Sequence, residues 1–309
     1  MKKIISFVMA AVILCSLTAC SSKISFKYVD DDILKEEYTY LNEKSFHKEN
    51  NTVGIVLQCY RNKKTFGDFP YYIPKEEMFT DVEEKENVNF VLGESITPEQ
   101  KRYVKQYENE KGFYWVQYPN NFKAFYMELN NIPYASSEGH EKALEKCVEY
   151  LKNLNVELNS QYVYTVNEVL DLNGVTAEKI DFRRKINGYS FFRGNEYIPW
   201  YMLLKGDKVQ TVSFFDTPYE KTDMTIKKPA KTYEDVADKV YEDINDIIQN
   251  DMTSKTVKIY IEPCYSYLEN KKETVAAYAI YMDGFDTLIK LYNANDLTEI
   301  SSDENIKAG

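Results

Sequence analysis

The chain has few of the residues on which common catalytic sites depend. It contains two histidines, His47 and His140, and a Ser-His-Asp triad would need one of them. His140 stands beside two glutamates near the start of a charged helix, which is typical of a solvated side chain. The sequence also lacks the His-Glu-x-x-His zinc motif, the Gly-x-Ser-x-Gly elbow and the phosphate-binding Gly-x-x-x-x-Gly-Lys loop. We therefore predict no catalytic residue, no cofactor and no metal ligand.

An excess of basic residues is also missing. The 309 residues include 38 Lys and Arg against 49 Asp and Glu, a formal charge of −11. Because nucleic-acid binders need positive charge to neutralise phosphates, this balance excludes a general nucleic-acid partner. Apolar residues at 44% and charged residues at 28% are typical of a globular chain. A single long apolar run excludes a multi-span membrane protein.

That run lies at the N-terminus and has the layout of an export signal. Lys2 and Lys3 precede the apolar stretch 4–14, which is too short for a membrane-spanning helix, and Leu17-Thr18-Ala19-Cys20 follows. This stretch resembles the lipobox of bacterial lipoproteins. The resemblance implies that 1–19 is a signal peptide. It also implies that Cys20 carries lipid chains (diacylglycerol, palmitate) and anchors the protein to the extracytoplasmic face of the cell membrane. The alternative is an ordinary secretory signal with an accidental cysteine.

Five cysteines do not indicate a disulfide framework. Cys15 leaves with the signal peptide and Cys20 is the lipidation site, so Cys59, Cys147 and Cys264 remain. Three is an odd number, no CxxC spacing occurs, and at most one disulfide can form. Cys147 shares the apolar face of a predicted helix, which favours a buried thiol.

Tyrosine is abundant, with 27 residues. Tyrosine can build a peptide- or sugar-binding surface. The alternative interpretation is AT-rich codon usage, which would indicate a low-GC Gram-positive bacterium.

The periodicity along the chain predicts an α+β protein. A polar helix near 98–109 follows from Thr97-Pro98, an N-cap with proline at the first helical position. Apolar residues at helical spacing predict helices at about 139–155 and 232–249, each followed by three or four strands. The predicted segments are a lipidated cysteine and tether (20–50), an N-terminal α+β domain (51–135) and two helix-plus-meander units (136–220 and 230–300).

The repeated helix and antiparallel meander suggest a family. The stretch 181–212 contains Ile186-Asn187-Gly188-Tyr189, a strand, Lys205-Gly206-Asp207 and another strand. This layout resembles PepSY-like domains and the YycH/YycI-type extracytoplasmic proteins, which are membrane-anchored accessory regulators of a cell-wall sensor kinase. The resemblance covers the C-terminal part of the chain and carries over no functional residue. The anchor differs, because it is a lipidated cysteine rather than a transmembrane helix.

These features predict a non-catalytic, lipid-anchored binding or regulatory protein with a protein or peptide partner in the cell envelope. An exposed sheet edge can accept a partner strand, and the acidic charge favours basic partners. Trp115 and Trp200 lie in aromatic strands and could form a shared binding groove or pack in the core. Two alternatives stay open: an envelope enzyme with a carboxylate site, and a substrate-binding lipoprotein.

Anchoring through Cys20 is directly testable. We expect Cys20→Ala to remain an unprocessed precursor or to be shed from the cell, because no other residue occupies the lipidation position. Metabolic labelling with a fatty-acid probe, followed by fractionation, measures both effects. Normal labelling of this variant would show that the lipobox assignment is wrong.

Overall fold

The structure of the protein is a computed structural model. It describes residues 26–29, 31–47, 54–117, 123–133, 139–158, 161–170, 174, 176–194, 200–216, 218–243, 256–284 and 288–301. The signal peptide and Cys20 lie outside the described residues. The fold is α+β, mostly sheet with few helices.

The described helices are α1 (Asp31–Glu36), α2 (Asp81–Leu92), α3 (His140–Asn153) and α4 (Tyr233–Glu242). The first eight strands are β1 (Phe26–Tyr28), β2 (Tyr38–His47), β3 (Gly54–Asn62), β4 (Phe69–Pro74), β5 (Glu99–Lys101), β6 (Val104–Asn109), β7 (Gly112–Gln117) and β8 (Ala124–Leu129). The others are β9 (Gln161–Leu170), β10 (Thr176–Ile186), β11 (Tyr189–Arg193), β12 (Trp200–Lys205), β13 (Lys208–Phe215), β14 (Tyr219–Ile226), β15 (Thr256–Leu268), β16 (Glu273–Met282) and β17 (Leu288–Asn293).

Fifteen of these strands form one branched sheet, and β4 pairs with β14 in a separate two-stranded sheet. The first branch has the order β1-β9-β10-β12-β13-β8-β7-β6-β5, and the second has the order β2-β3-β15-β16-β17. Strand β11 joins the branches, because it forms an antiparallel hairpin with β10 and runs parallel to β15. The turn of that hairpin is Asn187-Gly188, with φ of 50° and 80°. These are left-handed values that Asn and Gly adopt readily.

The two branches are covered differently. Helix α4 packs on one face of the second branch, where Val236 and Val240 join a cluster with Ile259. A different cluster, which includes Leu34 of α1 and Tyr260, covers the opposite face. Helices α2 and α3 both pack on the same face of the first branch, where they enclose Trp200 and its neighbours. On the opposite face of the first branch, a described helix shares a core cluster with β9, where Val163 joins Leu34 of α1, and none does so across β6, β7, β8, β13 and β12. This asymmetry positions the candidate site.

Several predicted elements are present. The helix predicted at 139–155 is present as α3, and the helix predicted at 232–249 begins as α4, where Thr232 forms a capping box with Asp235. Helix α4 ends at Glu242, and the predicted continuation over 244–249 lies outside the described residues. Ser137, a candidate N-cap for α3 by residue type, lies outside the described residues. The helix predicted near 98–109 is wrong, because β5 and β6 form a hairpin there. Pairing of β6 with β7 along six residues outweighs a local capping signal.

The predicted segments contribute to both branches. Within 20–50, β1 pairs with β9 and β2 pairs with β3. Within 51–135, β8 pairs with β13 of the first branch, while β3 pairs with β15 of the second. The bounds of the predicted domains stay a prediction.

The packing of α4 generates a stability prediction. Val240 is fully buried, whereas the Glu242 side chain is 72% exposed. We expect Val240→Ala to lower the free energy of unfolding by about 1–3 kcal/mol through lost burial and cavity formation. Glu242→Ala should cost about 0.5 kcal/mol or less. Urea unfolding followed by circular dichroism measures both, and equal mild costs would contradict the assigned helix face.

Candidate functional site

The residues singled out in the sequence do not converge on a catalytic centre. His47 ends β2 and His140 begins α3, so the two histidines belong to different elements. Cys20 lies outside the described residues. In the part of the chain that the structure describes, no cluster of His, Cys, Asp and Glu could hold a metal ion. Within the same residues, no helix has the length and apolarity needed to cross a membrane.

The three cysteines of the body are buried free thiols. Cys147 and Cys264 are fully buried, as is Cys59. Burial raises the pKa of the Cys59 thiol to about 11, and it raises the pKa values of the Cys147 and Cys264 thiols as well. Since the thiolate is the reactive form, these cysteines are core residues rather than nucleophiles.

Two buried carboxylates are also committed to structural contacts. Glu262 is 7% exposed and accepts hydrogen bonds from the Ser190 hydroxyl at 2.9 Å and the Tyr281 hydroxyl at 3.0 Å. Asp216 pairs with the Arg184 guanidinium and accepts a hydrogen bond from Tyr162. Both carboxylates are thus satisfied inside the protein.

The two tryptophans lie on opposite faces of the first branch. Trp200 is 1% exposed, and its ring stacks on Phe182 with 3.5 Å between ring centroids. Trp115 belongs to β7, where buried and half-buried residues alternate, and its side chain is half-buried. The two rings therefore cannot share one groove. Trp200 packs in the core, as one interpretation predicted, whereas Trp115 does not.

Trp115 belongs to a surface that we call the open face. Strand pairing places its residues in two rows across β6, β7, β8, β13 and β12. The first row is Gln106, Trp115, Tyr126, Ser213 and Tyr201, and the second row is Glu108, Phe113, Glu128, Thr211 and Leu203. On the next strand, Asp181 continues the first row and Lys179 continues the second.

The aromatic residues of the open face are not part of the described hydrophobic core. Phe113, Trp115 and Tyr201 belong to none of the three described core clusters, and each is half-buried. Their neighbours along the strands, such as Tyr114 and Met202, are fully buried on the other side of the sheet. The alternation of the strand thus places one set of aromatic rings in the core and another at the surface.

Three rings at one end of the open face form a stack. The Tyr126 ring lies 5.9 Å from the Trp115 ring and 5.4 Å from the Phe113 ring, with interplanar angles of 14° and 22°. The Tyr126 hydroxyl donates a hydrogen bond to Glu128 at 2.9 Å. Burial, together with the neighbouring Glu128 carboxylate, raises the pKa of Tyr126. The hydroxyl therefore stays protonated and remains a donor at neutral pH.

The opposite end of the open face holds a cation. The Lys179 ammonium lies 2.7 Å from the Asp181 carboxylate and 4.9 Å from the centroid of the Tyr201 ring. This arrangement combines an ion pair with a cation–π contact. The open face therefore offers a ligand two kinds of contact, stacking or cation–π contact with its aromatic rings and ion pairing with its charged side chains.

An apolar groove lies elsewhere, between α3 and the turn joining β12 to β13. Its volume is about 390 Å³. Leu129, Ile132, Tyr150 and Val209 provide apolar walls, and a Lys146–Asp207 ion pair at 3.4 Å lies at the rim. Volumes of this size are at the lower end of the range for small-molecule sites, about 300–1,000 Å³.

Comparison with known proteins gives little further guidance. No protein-family model matches the chain, and no curated protein matches it significantly. Among solved structures, the chain is similar to the Bacillus megaterium YpeB C-terminal domain, with 13% identity and a TM-score of 0.33. The similarity covers 73% of this chain and 97% of that chain. A TM-score of this size does not establish a shared fold.

The different placement of the tryptophans predicts different stability costs. Trp200→Ala should lower the free energy of unfolding by about 3–5 kcal/mol, because it empties a buried site. Trp115→Ala should cost about 0.5–1.5 kcal/mol, the range for losing an aromatic pair. Chemical denaturation of both variants measures the difference. A larger cost for Trp115→Ala would contradict the assignment of the two faces.

Proposed function

We propose that this chain is a lipid-anchored extracytoplasmic protein that binds and modulates a partner protein in the cell envelope without catalysis. The observation that carries the proposal is the open face, with its half-buried aromatic stack outside the core. Exposed apolar patches rimmed by polar residues often mark interaction sites. Aromatic residues are also enriched in the parts of interfaces that contribute most binding energy.

The tandem PepSY-like architecture is part of this proposal. Helix α3 precedes β9–β13 and packs on the first branch, and α4 precedes β15–β17 and packs on the second. Both arrangements follow the order helix then antiparallel strands, which supports two related units. In the resembling families such units belong to membrane-anchored regulators, which supports a regulatory role.

The proposed anchor restricts where the partner can be. Cys20 precedes Phe26, the first residue of β1, by six residues. A chain of six residues spans at most about 20 Å when extended. A lipidated Cys20 would therefore keep the sheet next to the membrane, within reach of other envelope proteins.

Site-specific crosslinking tests the proposal. A photoreactive phenylalanine derivative at Trp115 of the full-length chain, expressed in the native bacterium, should crosslink one defined envelope protein, identified by mass spectrometry. The same derivative at Met224 is the control, because that side chain is 58% exposed on β14 and lies outside the open face.

Two further results decide the outcome. The identified protein should copurify with the wild type and be lost with Trp115→Ala. Equal crosslinking from both positions, or retention by Trp115→Ala, would contradict binding through the open face.

The apolar groove supports a second candidate, a substrate-binding lipoprotein for a small apolar ligand. Its rim carries charges of both signs, and its walls are mainly apolar. An apolar fluorescent dye should then bind the wild type and the control Met224→Trp, but not Ile132→Trp, which fills the groove. Equal dye binding by all three proteins would reject this candidate.

A further inference from the structure

The open face has one end at which Lys179 lies against an aromatic ring and a carboxylate, and another end with similar chemistry whose carboxylates, Glu108 and Glu128, pair with no described lysine or arginine. We infer that this second end binds a lysine or arginine side chain of a basic peptide segment. The inference rests on the proposed function, because it names the partner chemistry of the same surface.

Lys179 shows how the surface holds a cation. Its ammonium group lies against the Tyr201 ring and pairs with Asp181, which extends the row containing Tyr201. The attraction of a ring quadrupole and the charge of a carboxylate act together on one ammonium group. A partner lysine or arginine would need the same two elements, an aromatic ring and a nearby carboxylate.

The other end supplies both elements. Glu108 and Glu128 are each directly opposite Phe113 in the strand pairing, one on either side of it. Neighbouring strands are about 4.8 Å apart, so the two acidic positions are separated by about 10 Å. The ring stack of Phe113, Tyr126 and Trp115 lies within and beside this interval.

The two carboxylates keep acceptor capacity. Glu108 accepts one hydrogen bond from the Gln106 amide through Oε2, and Glu128 accepts one from Tyr126 through Oε2. No described lysine or arginine pairs with either carboxylate, and Lys101 contacts the Gln106 amide oxygen instead. A carboxylate can accept bonds at both oxygens. Each glutamate can therefore bind a guanidinium or ammonium group without losing its present contact.

Charge also selects the partner. In the two rows and among the residues of the adjoining strands β5 and β10 that pair with or contact them, the acidic residues Glu99, Glu108, Glu128 and Asp181 outnumber the basic residues Lys101 and Lys179. The whole chain carries a formal charge of −11. An acidic surface accelerates encounter with basic partners and disfavours acidic ones. A neutral glycan could stack on the rings, but it would leave the paired acidic positions without a role.

Titration with defined probes tests the inference. The probes are a labelled capped peptide of four Lys-Ser repeats, a matched peptide of four Glu-Ser repeats and chitotetraose. Each is added to the full-length chain in neutral detergent micelles, and binding is followed by calorimetry or fluorescence anisotropy. The lysine peptide should bind more tightly than the other two, and its affinity should fall as salt rises from 50 to 300 mM, because exposed charges are screened.

Variants locate the binding on the surface. Glu108→Gln and Glu128→Gln should each weaken binding of the lysine peptide about threefold, and Trp115→Ala about threefold to tenfold. Glu220→Gln is the matched control, because Glu220 is an exposed glutamate on the separate β4–β14 sheet. It should leave the affinity unchanged. Circular dichroism and unfolding curves check that each variant is folded.

The outcomes separate the inference from the proposed function. Tighter binding of the glutamate peptide or chitotetraose, or equal losses in Glu128→Gln and Glu220→Gln, would overturn the inference. If the Trp115 position still crosslinked an envelope partner in those cases, the proposed function would stand with a different partner chemistry. Absence of both peptide binding and crosslinking would overturn both.

Discussion

The structure depends on the register with which β13 pairs with β8. This pairing places Phe214 opposite Phe125 and Ser213 opposite Tyr126, and thus joins the N-terminal strands to the later meander. Side chains alternate between the two faces, so a shift by one residue would exchange the core face and the open face. The same register therefore buries the Phe125 and Phe214 rings under α2 and α3 and leaves Trp115 and Tyr126 at the surface. The β13–β8 register thus determines both the packing of the core and the composition of the proposed binding surface.

Much of the C-terminal half could be predicted from the sequence, because local and long-range signals agree there. The apolar spacing of Ala143, Cys147 and Leu151 predicts α3, and these residues are buried. The Thr232 cap defines the start of α4. The turn at Asn187-Gly188 separates two strands that pair as a hairpin. At these positions the local sequence itself favours the observed backbone conformation, as helix, helix cap or turn. The conformation therefore depends little on contacts with distant parts of the chain.

The N-terminal region and the candidate site were harder to predict, for physical reasons. The capping signal at Thr97-Pro98 favours a helix, but strand pairing prevails there. The Thr80–Glu83 capping box, by contrast, does begin a helix, α2. In β7 both faces carry aromatic residues, so the sequence shows no alternation that would separate Trp115 from the buried Tyr114. Only the pairing of β7 with β8, and the placement of both helices on one side, distinguishes the two sets of rings.

The central claim is that Trp115, although half-buried, is accessible to solvent at an acidic end of the open face. Collisional quenching of the single-tryptophan variants Trp200→Phe and Trp115→Phe tests it most directly, with N-acetyltryptophanamide as the reference. The account predicts that acrylamide quenches Trp115 and not Trp200. It also predicts that, relative to the reference, cesium quenches Trp115 more effectively than iodide, because carboxylates attract the cation and repel the anion. Protection of Trp115 from acrylamide, or stronger relative quenching by iodide, would contradict the account.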